Sequence, residues 1–437
     1  MYEEEEQRLS RLKADLEKAA LPLEKAEEAI LSGILKAKQE KNRAKKKQKR
    51  LIGLAIAAII IISFVTSIRI SPTFANALSS IPGMEWLIGY IEQDKGYSAI
   101  IENDYYQKVD VSETKGDLTL KINGVIIDES GINIFYTLQS TKSLTGGKIK
   151  DVNLFNKEEF PEHAQSNNVL FPDDIENEFQ GKVEYQFVKP FSFNELKFNF
   201  EFITVIDNKE IQFLIPFELK ENVKKQITYP INQVVVVENQ KMTIEEMIVY
   251  PLRIGVKVAF DPANTKEILG FEDMRLENEN GEVWSSIANG VVNTTLSKYE
   301  KMYYLQSNYF EKPKDLYLRI NKLMAIDKEE AMVIVNTETN TLINNPKDER
   351  LKLGKTSKTQ VEFSMDSNSE EDPKDLFSTA IAADGKELSI SKIESRSSHK
   401  EISWILSFDN TMYKNPLKLK LAAYPNYIKG DIKVKLK

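Results

Sequence analysis

The eight residues GINIFYTL, 131–138, place Ile132, Ile134, Tyr136 and Leu138 on one side of an extended chain and put the intervening residues on the other. The same alternation returns in RIGVKVAF at 253–260, displaced by 122, and in EISWILSF at 401–408, displaced by 270. Short upstream segments move with them. Asp117–Leu120 recurs as Glu387–Ile390, again displaced by 270, and Met242–Ile244 follows Leu118–Leu120 by 124. Leu196 with Ile206 and Asp207 recurs as Leu316 with Ile326 and Asp327, each 120 residues later, and Leu417 with Ile428 gives a third ending. A side-chain period of two, punctuated by Asn, Asp, Gly and Pro, is the pattern of half-buried strands. Its repetition predicts three tandem Ig-like β-sandwich units, over 100–221, 222–342 and a shorter 343–437.

Outward from these strands, the composition changes towards the N-terminus. The chain has 437 residues, 29% of them charged, and a net charge of -7. Residues 1–50 carry 14 Lys and Arg against 10 Asp and Glu, so the remainder stands at -11. Cysteine is absent, which excludes disulfides, thiol chemistry and cysteine-ligated metals.

From Leu51 to Ile68 the sequence runs without a charge. As a helix it would reach roughly 27 Å, enough for one transmembrane helix over 51–70. The basic cluster Lys45, Lys46, Lys47, Lys49 and Arg50 precedes it and sets the topology: N-terminus cytoplasmic, remainder extracytoplasmic. Ala75-Asn76-Ala77 has the form of a cleavage site, but the fifty residues before the apolar run are far too long for the leading segment of a signal peptide. The lipid bilayer is therefore an expected partner, and the basic run is assigned to topology rather than to direct nucleic-acid binding.

Within 1–50, Leu9, Leu12 and Leu16 recur at helical spacing, and after Pro22 so do Leu23, Ile30 and Ile34. Such a narrow apolar stripe needs a partner, and these six leucines and isoleucines are the candidate partner-binding residues. Beyond the apolar run, residues 71–99 form a juxtamembrane helical region. Phe74 sits on its first apolar turn, Pro82 and Gly83 break it, and Trp86 and Tyr90 give the next turn an aromatic face.

The order of a basic helix, an apolar run, PTFANALSSIPG at 72–83 and an aromatic turn ending in Asp94-Lys95-Gly96 resembles a Gram-positive single-pass membrane family of unknown function, described as anti-sigma-factor-like. The LPLEKAEEAILSGILKAK stretch, Leu21–Lys38, is similar to its cytoplasmic helix, and the resemblance covers roughly residues 20–140. It implies a cytoplasmic segment that holds a sigma factor, an extracytoplasmic β sensor, and signalling through proteolytic removal of the ectodomain. The alternative is a membrane-tethered adhesion or scaffold whose β units bind a cell-wall or envelope component.

No residue pattern points to an enzyme or a cofactor. His163 and His399 sit in polar, loop-like surroundings outside any metal or triad motif. Gly354-Lys355-Thr356 lacks the glycine five positions earlier that a phosphate loop needs, Glu349 standing there. The acids Asp173, Asp174, Glu176 and Glu178 lack the spacing of a calcium loop.

Overall fold

A computed structural model describes residues 2–18, 94–142, 147–167, 177–220, 223–285, 292–311, 313–367, 373, 375–398, 400–409 and 412–437. Helix α1 (Tyr2–Lys18) belongs to a unit spanning Met1–Ser71. In a second unit, Pro72–Lys437, the first described element is helix α2 (Lys95–Glu102), and the described strands that follow pair antiparallel.

The first β domain pairs β1 (Gln107–Lys115), β2 (Leu118–Asp128), β3 (Gly131–Ser140), β6 (Glu178–Phe187) and β5 (His163–Asn167), in that order across one sheet. Facing it is a three-stranded sheet of β4 (Lys148–Phe155), β7 (Lys197–Ile206) and β8 (Lys209–Glu218). Between them lies one core, with Leu120, Ile122, Ile134 and Tyr136 from the first sheet against Phe200, Phe202 and Phe213 from the second. The register of β2 slips between Ile122 and Gly124. That bulge changes the phase of the alternation, so Leu120 and Ile122 before it and Val125 and Ile127 after it all reach the same core.

The second domain repeats this plan. Its five-stranded sheet is β9 (Ile227–Val237), β10 (Gln240–Val249), β11 (Ile254–Phe260), β15 (Glu300–Leu305) and β14 (Asn293–Ser297). Even the bulge returns, between Ile244 and Glu246 of β10. The facing sheet holds β13 (Val283–Trp284), β12 (Lys266–Asn278), β16 (Leu316–Asp327) and the last strand of the chain, β26 (Tyr427–Lys435). Thus β12, β16 and β26 take the places of β4, β7 and β8. In the first domain the last two strands join through Asp207 and Asn208, both with positive φ, as a tight hairpin demands. In the second domain the same junction contains a whole further domain.

That third domain pairs β18 (Thr341–Asn344), β17 (Met332–Asn336), β25 (Leu417–Leu421), β21 (Phe377–Ile381) and β22 (Glu387–Leu388) in one sheet. The other sheet has β19 (Lys352–Thr356), β20 (Gln360–Asp366), β24 (Glu401–Phe408) and β23 (Ile390–Ser397). Trp404, Phe363, Leu419 and Tyr424 lie at its centre.

Several expectations change here. The one transmembrane helix is corrected: no helix among the described residues is long and apolar enough to cross a membrane, α1 being studded with acids and α2 having eight residues. Residues 51–70 themselves lie outside the described residues. The units are not three sequential copies. Residues 332–342, placed in the second unit, contribute to the third core, while Ile428 and Val434, placed in the third, build the second. The displacement of 270 links unlike strands, since β2 and β3 are interior neighbours in one sheet whereas β22 and β24 fall in different sheets. The juxtamembrane region reaches past residue 99, α2 ending at Glu102 against the first β domain.

Candidate functional site

Two features merit a functional reading, and α1 is the simpler. Glu3, Glu4 and Glu5 occupy its first turn, where carboxylates offset the partial positive charge of the helix start. Leu9 and Leu12 lie three residues apart on one stripe and leave 68% and 57% of their surfaces exposed. Leu16 is in the same helix. Leu23, Ile30, Ile34, Lys45, Lys46, Lys47, Lys49, Arg50, Phe74, Pro82, Gly83, Trp86 and Tyr90 lie outside the described residues.

The second feature is the junction where α2 meets the first two β domains. Asp94 caps the helix, its carboxylate accepting from Gly96 N at 2.8 Å and Tyr97 N at 3.3 Å. Burial raises its pKa. The apolar side of α2 sets Ile100, Ile101 and the following Tyr105 against Ile126 and Phe135 of the first domain and Leu252 and Phe310 of the second. This covers the outer face of β2 and β3, which is why those strands are buried on both sides rather than alternating. On the flank, Lys95 pairs with Glu282 at 3.0 Å and lies over the Trp284 ring.

Tyr97 is the polar centre. Its hydroxyl donates to Glu184 Oε1 at 3.0 Å and accepts from Lys182 Nζ at 3.2 Å and from Asn133 Nδ2. Lys182 and Glu184 pair at 2.6 Å. Burial, reinforced by Glu184, pushes the phenol well above its ordinary range, so it remains protonated and acts as a hydrogen-bond hub. Replacing Tyr97 with Phe is therefore expected to destabilise the junction by about 1–3 kcal/mol, because buried partners lose their hydroxyl. Urea denaturation of the two full chains checks it.

Arg253 closes the junction from the second domain. It is 4% exposed, and its guanidinium donates to Ser130 O at 2.8 Å, Phe187 O at 2.9 Å and Gln186 Oε1 at 3.0 Å, all in the first domain. Its other face stacks on Tyr304 at 4.0 Å. Nearby, the buried Asp128 accepts from Leu252 N, Ser130 N and Ser130 Oγ, each at 2.7 Å. Tyr105 completes the seam by donating to Ile127 O at 2.5 Å and accepting from Lys224 N at 3.1 Å. A cleft of about 330 Å³, partly open to solvent, lies over Asp94, Tyr97, Asn133, Glu184 and Arg253.

The other sequence features fall elsewhere. His163 is on the exposed edge strand β5 rather than in a loop, its ring among Phe160, Tyr185 and Phe187. Gly354-Lys355-Thr356 is part of strand β19. Glu178 lies on β6, bonded to Gln139 and Gln180, while Asp173, Asp174, Glu176 and His399 lie outside the described residues. Among the described residues no three His, Asp or Glu side chains gather at metal-binding distance. The junction was missed by reading the sequence, although one signal was present: aligning the repeats at 122 places Arg253 opposite Gly131, a charge where its counterpart has no side chain.

Residues 44–140 match the model of a domain of unknown function, DUF4179, and residues 226–353 match that of a family of unknown function, DUF5643. The first match ends with β3, and the second runs from the start of the second β domain to β19. Together they fit a family of unknown function. No curated protein matches the chain. Among solved structures, one described as the conserved domain protein from Bacillus anthracis is similar at 15% identity with a TM-score of 0.37, covering 55% of this chain and 84% of that one.

Proposed function

We propose that this chain is a regulator located at the cell membrane, anti-sigma-factor-like, whose N-terminal helix holds a cytoplasmic sigma factor and whose β domains serve as an extracytoplasmic sensor. The observation that carries the reading is the exposure of Leu9 and Leu12 on α1. Two leucines on one helical stripe are the kind of anchor that an apolar groove on a partner accepts. The membrane location is supported by the basic cluster Lys45–Arg50 followed directly by the uncharged run from Leu51 to Ile68. The sensor role is supported by the junction, where α2, the element nearest that run among the described residues of the second unit, is gripped by two β domains at once.

In cells, Leu9→Asp combined with Leu12→Asp is expected to raise transcripts from the promoters of the bound sigma factor at least tenfold, since burying a carboxylate in a groove costs several kcal/mol. RNA sequencing of the variant strain, with immunoblotting to confirm equal protein levels, checks this. Unchanged transcripts at equal levels would sink the reading.

A further inference from the structure

The turns at one end of the second domain, beside the point where the third is inserted, frame another small cleft that opens to solvent. Four lysines line it: Lys266 at the start of β12, Lys298 in the β14–β15 turn, Lys301 on β15 and Lys328 just after β16. In a chain of net charge -7 such a gathering is unexpected, and ion pairing does not account for it. The two lining carboxylates are engaged by lysines outside the cleft, Asp261 by Lys241 at 3.3 Å and Glu267 by Lys420 at 3.4 Å. Lys266 pairs with Asp327 at 2.7 Å.

Lys298, Lys301 and Lys328 have no carboxylate within ion-pair distance among the described residues. Lys328 donates to Pro262 O at 2.7 Å, and Lys298 lies over the Tyr299 ring. Lys301 is the most deeply set, donating to Leu269 O at 3.0 Å and more weakly to Ile268 O at 3.5 Å. Two carbonyl dipoles solvate an ammonium only in part, and burial pushes this one down to about 8. Glu267 and Asp261 act on these lysines only at longer range, and an anion entering the cleft would supply a direct counter-charge to all three groups. Three separate point donors around a small opening suit a tetrahedral oxyanion better than a planar carboxylate, which favours the paired donors of arginine.

We propose that the cleft lined by Lys298, Lys301 and Lys328 is a binding site for a phosphate group, presented either as a free small phosphate or as one unit of a polyol-phosphate polymer. The lining comes from the second domain alone, and the third domain touches the site only through Lys420, which pairs with the lining Glu267 at 3.4 Å.

Calorimetric titration of the full chain in detergent, with pyrophosphate and separately with a short glycerol-phosphate oligomer, tests the site. Binding of one or both is expected, weakening at least tenfold in Lys298→Gln/Lys301→Gln/Lys328→Gln. Binding of both identifies a site open to free phosphate, and binding of the oligomer alone identifies the polymer as its source. A control with Lys142→Gln/Lys150→Gln/Lys157→Gln removes the same charge from exposed positions of the first domain and is expected to bind as wild type. The proposal is overturned if neither ligand binds, if the cleft variant binds unchanged while folded by circular dichroism, or if the control loses as much affinity, which would mean general charge attraction. If the cleft variant does not fold, Lys298→Gln/Lys328→Gln, which changes only exposed side chains, is held to the same tenfold criterion.

Discussion

Replacing Arg253 with Met is expected to lower the stability of the joined first and second domains by about 3–5 kcal/mol, the range for removing one partner from a buried charged network. The methionine fills much of the space but takes the guanidinium donors away from Phe187 O, Gln186 Oε1 and Ser130 O, of which Ser130 O keeps the Phe187 N–H at 2.9 Å. The loss also depends on pH. Burial holds the Asp128 carboxyl above its ordinary range, and Arg253 opposes that rise. Without the guanidinium the folded-state pKa climbs further, so ionising Asp128 in the fold becomes more unfavourable. The deficit should be largest at neutral pH and shrink as acid protonates Asp128 in the folded state. Urea denaturation followed by tryptophan fluorescence at pH 7 and pH 5 measures both effects. Arg253→Lys should fall between, because one ammonium cannot reach three acceptors set in a fork.

Gly124→Val should be at least as severe. A Cβ there would stand 2.3 Å from Tyr106 Cζ and 2.6 Å from Gln107 O. The ring cannot easily move, since it is packed against Phe135 with centroids 5.7 Å apart, and the carbonyl belongs to the neighbouring strand β1. Overpacking commonly costs about 1–3 kcal/mol, and a branched side chain against backbone belongs at or beyond the upper end. Adding Tyr106→Leu removes the first obstacle and leaves the second, so partial recovery of the melting temperature is the expected result by calorimetry.

How far these features could be read beforehand depends on how local their causes are. Leu9 and Leu12 are legible because helical spacing is a property of adjacent turns. The equivalence of Gly131–Leu138 with Arg253–Phe260, and of Leu196 with Leu316, is legible because two domains share a plan down to the bulge in β2 and β10. The match at 270 misleads because alternation is common to all half-buried strands and does not report which strands are neighbours. The inserted domain is invisible for a related reason: β16 finds its partner in β26, with Ile320 opposite Ile432, and no local signal says that a hairpin has been opened. The junction was hidden because Arg253 heads an alternating run, where a charged side chain reads as facing solvent. Only the fold reveals that it faces three carbonyl oxygens rather than water.

The direct test of the central claim is the affinity of the purified full chain, in detergent, for the sigma factor it regulates, measured by calorimetry beside the Leu9→Asp/Leu12→Asp variant. Binding by the wild-type chain that weakens at least tenfold in the variant, with the urea transition of the β domains unchanged, is the predicted result. Equal affinity of the two chains, or no binding by either to any sigma factor of the cell, would contradict it.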